Sequence, residues 1–243
     1  MNQDYSKLAT TFASKYELIK WAVSKDNKFL YWYLVRDSNI INQSLLQSVA
    51  TVGNLTALQI IVYIGKISPN GLVSIEAATH NHQHILKWLL KNKYEIDINA
   101  IAAAAGANHF KLVKWMLNEG IHYNESVLSQ AVLVGNSEMV SYLLKNINKL
   151  DHWSPDLAAK YGNFEILNLL IQYRINPTSL GFELAAMNGQ LEMVKYLFDL
   201  KVRPDKDISI DVAENGHIDI IEFMIDNLTL DKEVLSWYIS NFF

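Results

Sequence analysis

The chain has 243 residues, half of them apolar, enough to build a continuous core, so it is a folded protein. Charged residues make up 19% and the net charge is −4, which leaves no broad positive field for phosphate backbones or an anionic membrane; neither nucleic acid nor membrane is expected as a partner. There is no cysteine, which excludes disulfides, thiolate zinc sites and cysteine nucleophiles and fits a reducing compartment. No apolar run approaches the roughly 20 residues that span a bilayer. Residues Met1–Tyr16 are polar, acidic and aromatic where an export signal would be basic and then apolar. The chain is therefore expected inside the cell, in the cytoplasm, without signal or anchor.

In chain order, residues 1–21 read as a terminal capping helix, and from about residue 15 to 230 a single unit recurs. Its marker is a turn residue at Asp26, Gly53, Asn81, Asn108, Gly135, Gly162, Gly189 and Gly216, spaced by 27 except for one step of 28 from Gly53 to Asn81. Only Gly, Asn and Asp occupy this column, the types that best tolerate the left-handed conformation a tight interhelix turn needs. Small residues such as Ala104 and Ala105 precede each turn. An apolar helical face follows it, as in Phe110, Leu112, Val113, Met116 and Leu117. Eleven residues before each turn stand Asn42, Asn70, Asp97, Asn124, Asp151, Thr178 and Asp205, all able to cap a helix. Pro69, Pro177 and Pro204 sit just before such caps, while Pro155 follows Ser154, to which the cap of the unit of Gly162 is expected to move. Gly65 and Gly120, twelve residues past their turns, mark where a second helix stops. Residues 231–243, with Trp237, Phe242 and Phe243, read as the first helix of an unfinished unit that covers the last apolar face. The fold class is all-α, about eight short helix-turn-helix repeats in one domain over 1–243.

The segment "AAMNGQLEMVKYL", and nearly "VAENGHIDIIEFM", resembles the ankyrin repeat over roughly residues 15–230. His109 and His217 stand where that family favours a histidine after the turn. Two features depart from it: the T-P-L-H opening is missing, and the period is 27 where 33 is usual. The shortfall falls between the second helix and the next cap, so short loops are expected where the family has β-hairpin fingers. Abbreviated arrays of this kind resemble those of large DNA viruses, protists and intracellular bacteria, which implies a host-directed interaction protein. The dozen or so residues after the last repeat are too few for the F-box-like segment that follows some poxvirus arrays.

Nothing in the columns points to catalysis, a cofactor or a metal. His80, His82 and His84 alternate around one turn, but His82 and His84 open a helix whose rotation is expected to separate them, leaving surface polar residues. His109, His122, His152 and His217 fall in different repeats. The glycines are single turn residues and make no phosphate cradle. Glu138, Glu165, Glu192 and Asp219 recur near second-helix N-termini, where the helix dipole favours them. Tyr33, Trp88, Trp115, Tyr142, Tyr196 and Phe223 share the position seven after the turn and are assigned to the core between repeats.

With those columns removed, the variable positions of the first helix and turn remain, which the resemblance places on a concave face roughly 65 Å long. They are Glu76 and His80 in the unit of Asn81, Gln130 and Leu133 in that of Gly135, and Trp153, Asp156, Lys160 and Tyr161 in that of Gly162. Glu183 and Met187 follow in the unit of Gly189, and Asp211 and Glu214 in that of Gly216. Trp153 and Tyr161 are the expected anchors for a protein partner, since aromatic residues dominate interface energetics; alternatively Trp153 plugs a groove left by the displaced cap. The expectation is a monomeric, non-enzymatic scaffold that holds a protein. Self-association through aromatic ends is the alternative.

Overall fold

The computed structural model describes residues 5, 9–206 and 208–228. The chain divides into two compact units, 1–127 and 128–243. The predicted C-terminal cap over 231–243 lies outside the described residues. Unit 1 holds four helix pairs: α1 (Lys15–Lys25) with α2 (Asn27–Arg36), α3 (Gln43–Val52) with α4 (Leu55–Gly65), α5 (Gly71–Thr79) with α6 (Gln83–Lys91), and α7 (Ala100–Gly106) with α8 (Phe110–Asn118). A 3₁₀ turn over Ser38–Ile40 joins the first two pairs. The unit boundary falls within α9 (Ser126–Leu133), which pairs with α10 (Ser137–Asn146). Unit 2 continues with α11 (Ser154–Lys160) and α12 (Phe164–Gln172), α13 (Ser179–Met187) and α14 (Leu191–Asp199), and α15 (Ser209–Glu214) and α16 (Ile218–Asn227). No strand occurs among the described residues, so each finger is reduced to a short loop.

Within each unit the pairs stack, first helix on first helix and second on second, α5 on α7 and α14 on α16 for example. Small residues make the close approach possible: Ala77, Ala78, Ala104 and Ala105 in unit 1 and Ala158, Ala159, Ala185 and Ala186 in unit 2 are fully buried. The second helices contribute the bulk of the core, as with Leu112, Val113 and Met116 on α8, each worth roughly 1.5–3 kcal/mol when withdrawn from water. The expected terminal cap over 1–21 lies partly outside the described residues. Helix α1 begins at Lys15, where the Ser14 hydroxyl accepts the Glu17 N–H at 3.2 Å, and it runs on to Lys25 as the first helix of the first pair.

Seven of the eight turn residues are left-handed, with φ between 60° at Asn108 and 81° at Gly53. In each, the residue after the turn donates its N–H to a carbonyl five positions back, for example His109 to Ala104 at 2.9 Å and Gln190 to Ala185 at 3.0 Å. That closure satisfies carbonyls a helix end would otherwise leave orphaned. Asp26 is the exception. It is extended (φ −148°, ψ 91°), and its carboxylate accepts the N–H groups of Lys28 and Phe29 at 3.0 Å, so here a cap of α2 replaces the left-handed turn. A second left-handed column closes the second helices at Lys66, Lys93, Gly120, Arg174 and Lys201. Only Gly120 announces it in the sequence, and in the second pair the left-handed residue is Lys66, next to the expected Gly65.

The cap column is more varied than its residue types suggest. Asn42 accepts the Leu45 N–H at 2.9 Å, as a helix cap does, whereas Asn70 makes no such bond with α5. In the pair of α11 and α12 the cap stays at Asp151, whose carboxylate accepts the Ser154 N–H at 2.7 Å; Ser154 is itself the buried first residue of α11 and not a displaced cap.

The turn glycines also make room for the next repeat. A Cβ on Gly189 would collide with the His217 imidazole, whereas one on Gly120 would meet nothing within 4 Å. Both have positive φ, so Gly120→Ala is expected to cost the conformational penalty alone, about 1–2 kcal/mol. Gly189→Ala should cost clearly more. Urea unfolding of the two variants compares them, and equal losses would show that the close approach carries no energy.

Candidate partner-binding surfaces

The side chains expected on the first-helix face separate into two groups. Asp156 and Glu183 are buried, and both serve the next repeat. The Asp156 carboxylate accepts the Thr178 N–H at 2.8 Å and the Thr178 hydroxyl at 2.7 Å. The Glu183 carboxylate accepts the Asp205 N–H at 3.3 Å. Glu76, half-buried in unit 1, accepts the Thr51 hydroxyl at 3.1 Å and lies 3.7 Å from His80 Nδ1. Asp156 and Glu183 are therefore corrected from contact residues to ties between repeats. A carboxylate one helix back reaches the orphan N–H groups at the start of the next unit. Burial pushes the Asp156 carboxyl upward from its ordinary pKa, against the pull of the Thr178 and Gly181 donors.

The second group faces solvent. Trp153 is 59% and Tyr161 53% exposed, so Trp153 plugs no groove. They stand at opposite ends of α11, eight residues and about 12 Å apart along the axis, and are not brought together. Tyr161 instead joins a row at the turn-side ends of first helices. Leu133 is exposed at the end of α9, Lys160 lies 5.4 Å over the Tyr161 ring, Met187 is half-buried at the end of α13 and Glu214 is exposed at the end of α15. Gln130 and Asp211 are half-buried one helical turn further from the turns. The row thus offers apolar, aromatic and both kinds of charged group in unit 2.

The histidines have a structural task that their spacing hid. Nε2 of His82, His109 and His217 reaches the backbone carbonyl of Thr51 (3.0 Å), Thr79 (2.9 Å) and Met187 (3.2 Å), each in the preceding repeat. Since a carbonyl only accepts, Nε2 carries the proton. His82 and His84 are not rotated apart: both reach back toward the previous turn, with ring centroids 5.7 Å apart and His84 Nε2 2.8 Å from the Gly53 carbonyl. Asn54 does the same work, donating to the Val23 carbonyl at 2.6 Å while capping α4. Among the described residues, no group of three or more His, Asp or Glu side chains is placed to hold a metal ion.

One feature of unit 1 went unseen in the sequence. Helices α1 and α3 diverge to leave a groove of about 540 Å³, walled by Tyr16, Ile19, Val23, Leu45 and Val52 and edged by Lys15 and Lys20. Lys15 is held by Asp37 at 2.6 Å. No residue type signals the groove, because it lies between two ordinary first helices and the segment that joins the first two pairs.

A family model described as ankyrin repeats (3 copies) matches residues 74–156, 101–180 and 156–235, together more than half of the chain. The chain belongs to the ankyrin-repeat family. No curated protein matches it. No helix among the described residues is long and apolar enough to cross a membrane.

Asp156→Ala removes a charged acceptor of two part-buried hydrogen bonds and is expected to cost about 1–3 kcal/mol, against less than about 0.5 kcal/mol for Glu214→Ala at the exposed row. Comparable unfolding midpoints for the two would contradict the tie. A second expectation concerns acid. Burial, and then the neighbouring His84, His80 and His109, lower the pKa of His82 from its ordinary 6.5, against the raising effect of its bond to the Thr51 carbonyl. The unfolded chain therefore binds the proton more readily. The stability His82 contributes is full above pH 6.5 and falls away as pH drops through the lowered folded value. Thermal melts at pH 7.5 and 5 should show wild type losing more than His82→Gln, and parallel losses would refute the assignment.

Proposed function

We propose that the chain is a non-enzymatic scaffold that holds a protein partner on the first-helix side of its repeats, the concave side in arrays of this family. Repeats of this family generally mediate protein–protein interaction. The observation that supports the face is the exposure of Trp153 and Tyr161, large aromatic side chains with over half their surface in water, on a helix whose other residues are mostly buried. Leu133 and Met187, on the helices before and after α11, extend the apolar contact; Lys160 and Glu214 supply charge of both signs to orient it. Binding is preorganised: the inter-repeat ties hold the row in place before the partner arrives, so little ordering entropy is lost on docking. No covalent step and no cofactor belong to this mechanism. The setting we propose is the cytoplasm, that of a host if the chain is a viral or bacterial protein.

The test is affinity capture from cell lysate with wild type and with a folded Trp153→Ala, Tyr161→Ala double variant, followed by titration of whatever protein is retained. The double variant is expected to bind at least tenfold more weakly, since anchors of this kind cost about 2 kcal/mol or more each. Equal affinities would remove the row as the binding face.

A further inference from the structure

The solvent-facing stripe of each second helix lies three, six and ten residues after the turn, and its charge is segregated along the chain. In α6 and α8 it carries Lys87, Lys91, Lys111 and Lys114, and neither helix contains a carboxylate. In α14 and α16 it carries Glu192, Asp199, Asp219, Glu222 and Asp226. One lysine joins them, Lys195, which pairs with Glu192 at 2.8 Å. Each set forms one patch. Lys87 Nζ lies 5.6 Å over the Trp115 ring and so links α6 to α8, and the Phe198 and Phe223 rings meet at 5.5 Å between α14 and α16.

The helix dipole accounts for Lys91, Glu192 and Asp219, which stand at the ends it favours, but not for the rest of the segregation. Lys87 with Lys91, and Asp219 with Glu222 and Asp226, are like-charge neighbours three or four residues apart, which destabilise a helix. Lys111 sits in the first turn of α8, and Asp199 and Asp226 in the last turns of α14 and α16, each at the end where the helix dipole disfavours its charge. A face selected only for solubility would mix signs, as α10 does with Glu138 and Lys145.

We propose that the basic face of α6 and α8 docks on the acidic face of α14 and α16 of a second copy of this chain. The two faces are complementary in sign: Lys87, Lys91 and Lys111 stand on one side and a net negative charge on the other, on the same three rows of adjacent repeats, with the Arg203 guanidinium stacked on Phe198 beside the acidic set. A second copy supplies both the sign and the spacing. The contact joins two different faces, so an antiparallel pair makes it twice and a head-to-tail series makes it once per junction. It uses neither the first-helix row nor the aromatic ends, and it replaces the expected monomer with a salt-dependent assembly.

Sedimentation velocity of the full chain tests it, over a range of protein concentrations and from roughly 0.02 to 0.5 M salt, where screening shortens from tens of ångströms to a few. Wild type is expected to grow in mean size with concentration at low salt and to return to monomer at high salt. Lys87→Glu, Lys91→Glu, Lys111→Glu together should weaken association on the order of tenfold or more, and so should Asp219→Lys, Glu222→Lys, Asp226→Lys together. An equimolar mixture of the two variants should restore association, because the acidic face left intact on the first meets the basic face left intact on the second; a mixture that stays monomeric overturns the proposal, and circular dichroism confirms that both fold. A wild-type monomer at every salt overturns the proposal, whether or not the basic face then binds a polyglutamate probe. Association that survives either triple reversal overturns it equally and points to another contact.

Discussion

The reach of one side chain across each inter-repeat turn governs most of what the molecule can do. A repeat of 27 residues leaves no hairpin finger to knit neighbours together, so polar side chains must join one pair to the next. The residue after the turn does so from one side, as when His82 donates to Thr51 or Asn54 to Val23. First-helix carboxylates do so from the other, as when Asp156 accepts from Thr178. Both need the preceding turn to be narrow, which is why the left-handed residue there is so often a glycine with the next repeat's imidazole or amide lying where its Cβ would be.

These ties explain why polarity on the first helices is a poor guide to binding. An acid on a short helix of an exposed array looks like a surface group, yet Asp156 and Glu183 are consumed by backbone donors at the start of the following unit. What remains at the surface is the set of side chains with no such duty: Leu133, Tyr161 and Trp153 among the apolar ones, Lys160 and Glu214 among the charged. The second helices divide their work in the same manner. Their inner positions are core, their aromatic column lies half-buried between neighbours except at Tyr33, which is buried outright, and only the outer stripe is free to carry a charge pattern.

The repeat itself was legible because it is a backbone requirement. Gly, Asn and Asp recur where φ must be positive, alanines where helices approach, and acids such as Glu165 and Glu192 where the dipole favours them, so periodicity and chemistry agree. Legibility failed where one residue type can serve two geometries. Asp26 fits a left-handed turn and an extended cap equally well by composition, and the structure uses it as the cap. Lys93, Arg174 and Lys201 adopt the left-handed conformation with no residue signal at all, because the carbonyls they satisfy, not their side chains, impose it.

The amino-acid sequence alone thus determined the period, the pairing of a short helix with a second one, and the all-helical, finger-less character of the fold, since these follow from local conformational preference repeated many times over. Tertiary structure decided which polar side chains face solvent and which face the neighbouring repeat, and it opened the groove between α1 and α3. The physical reason is that both outcomes depend on distances between residues 22 to 31 positions apart, set by how adjacent helix pairs stack, and no local propensity encodes that angle.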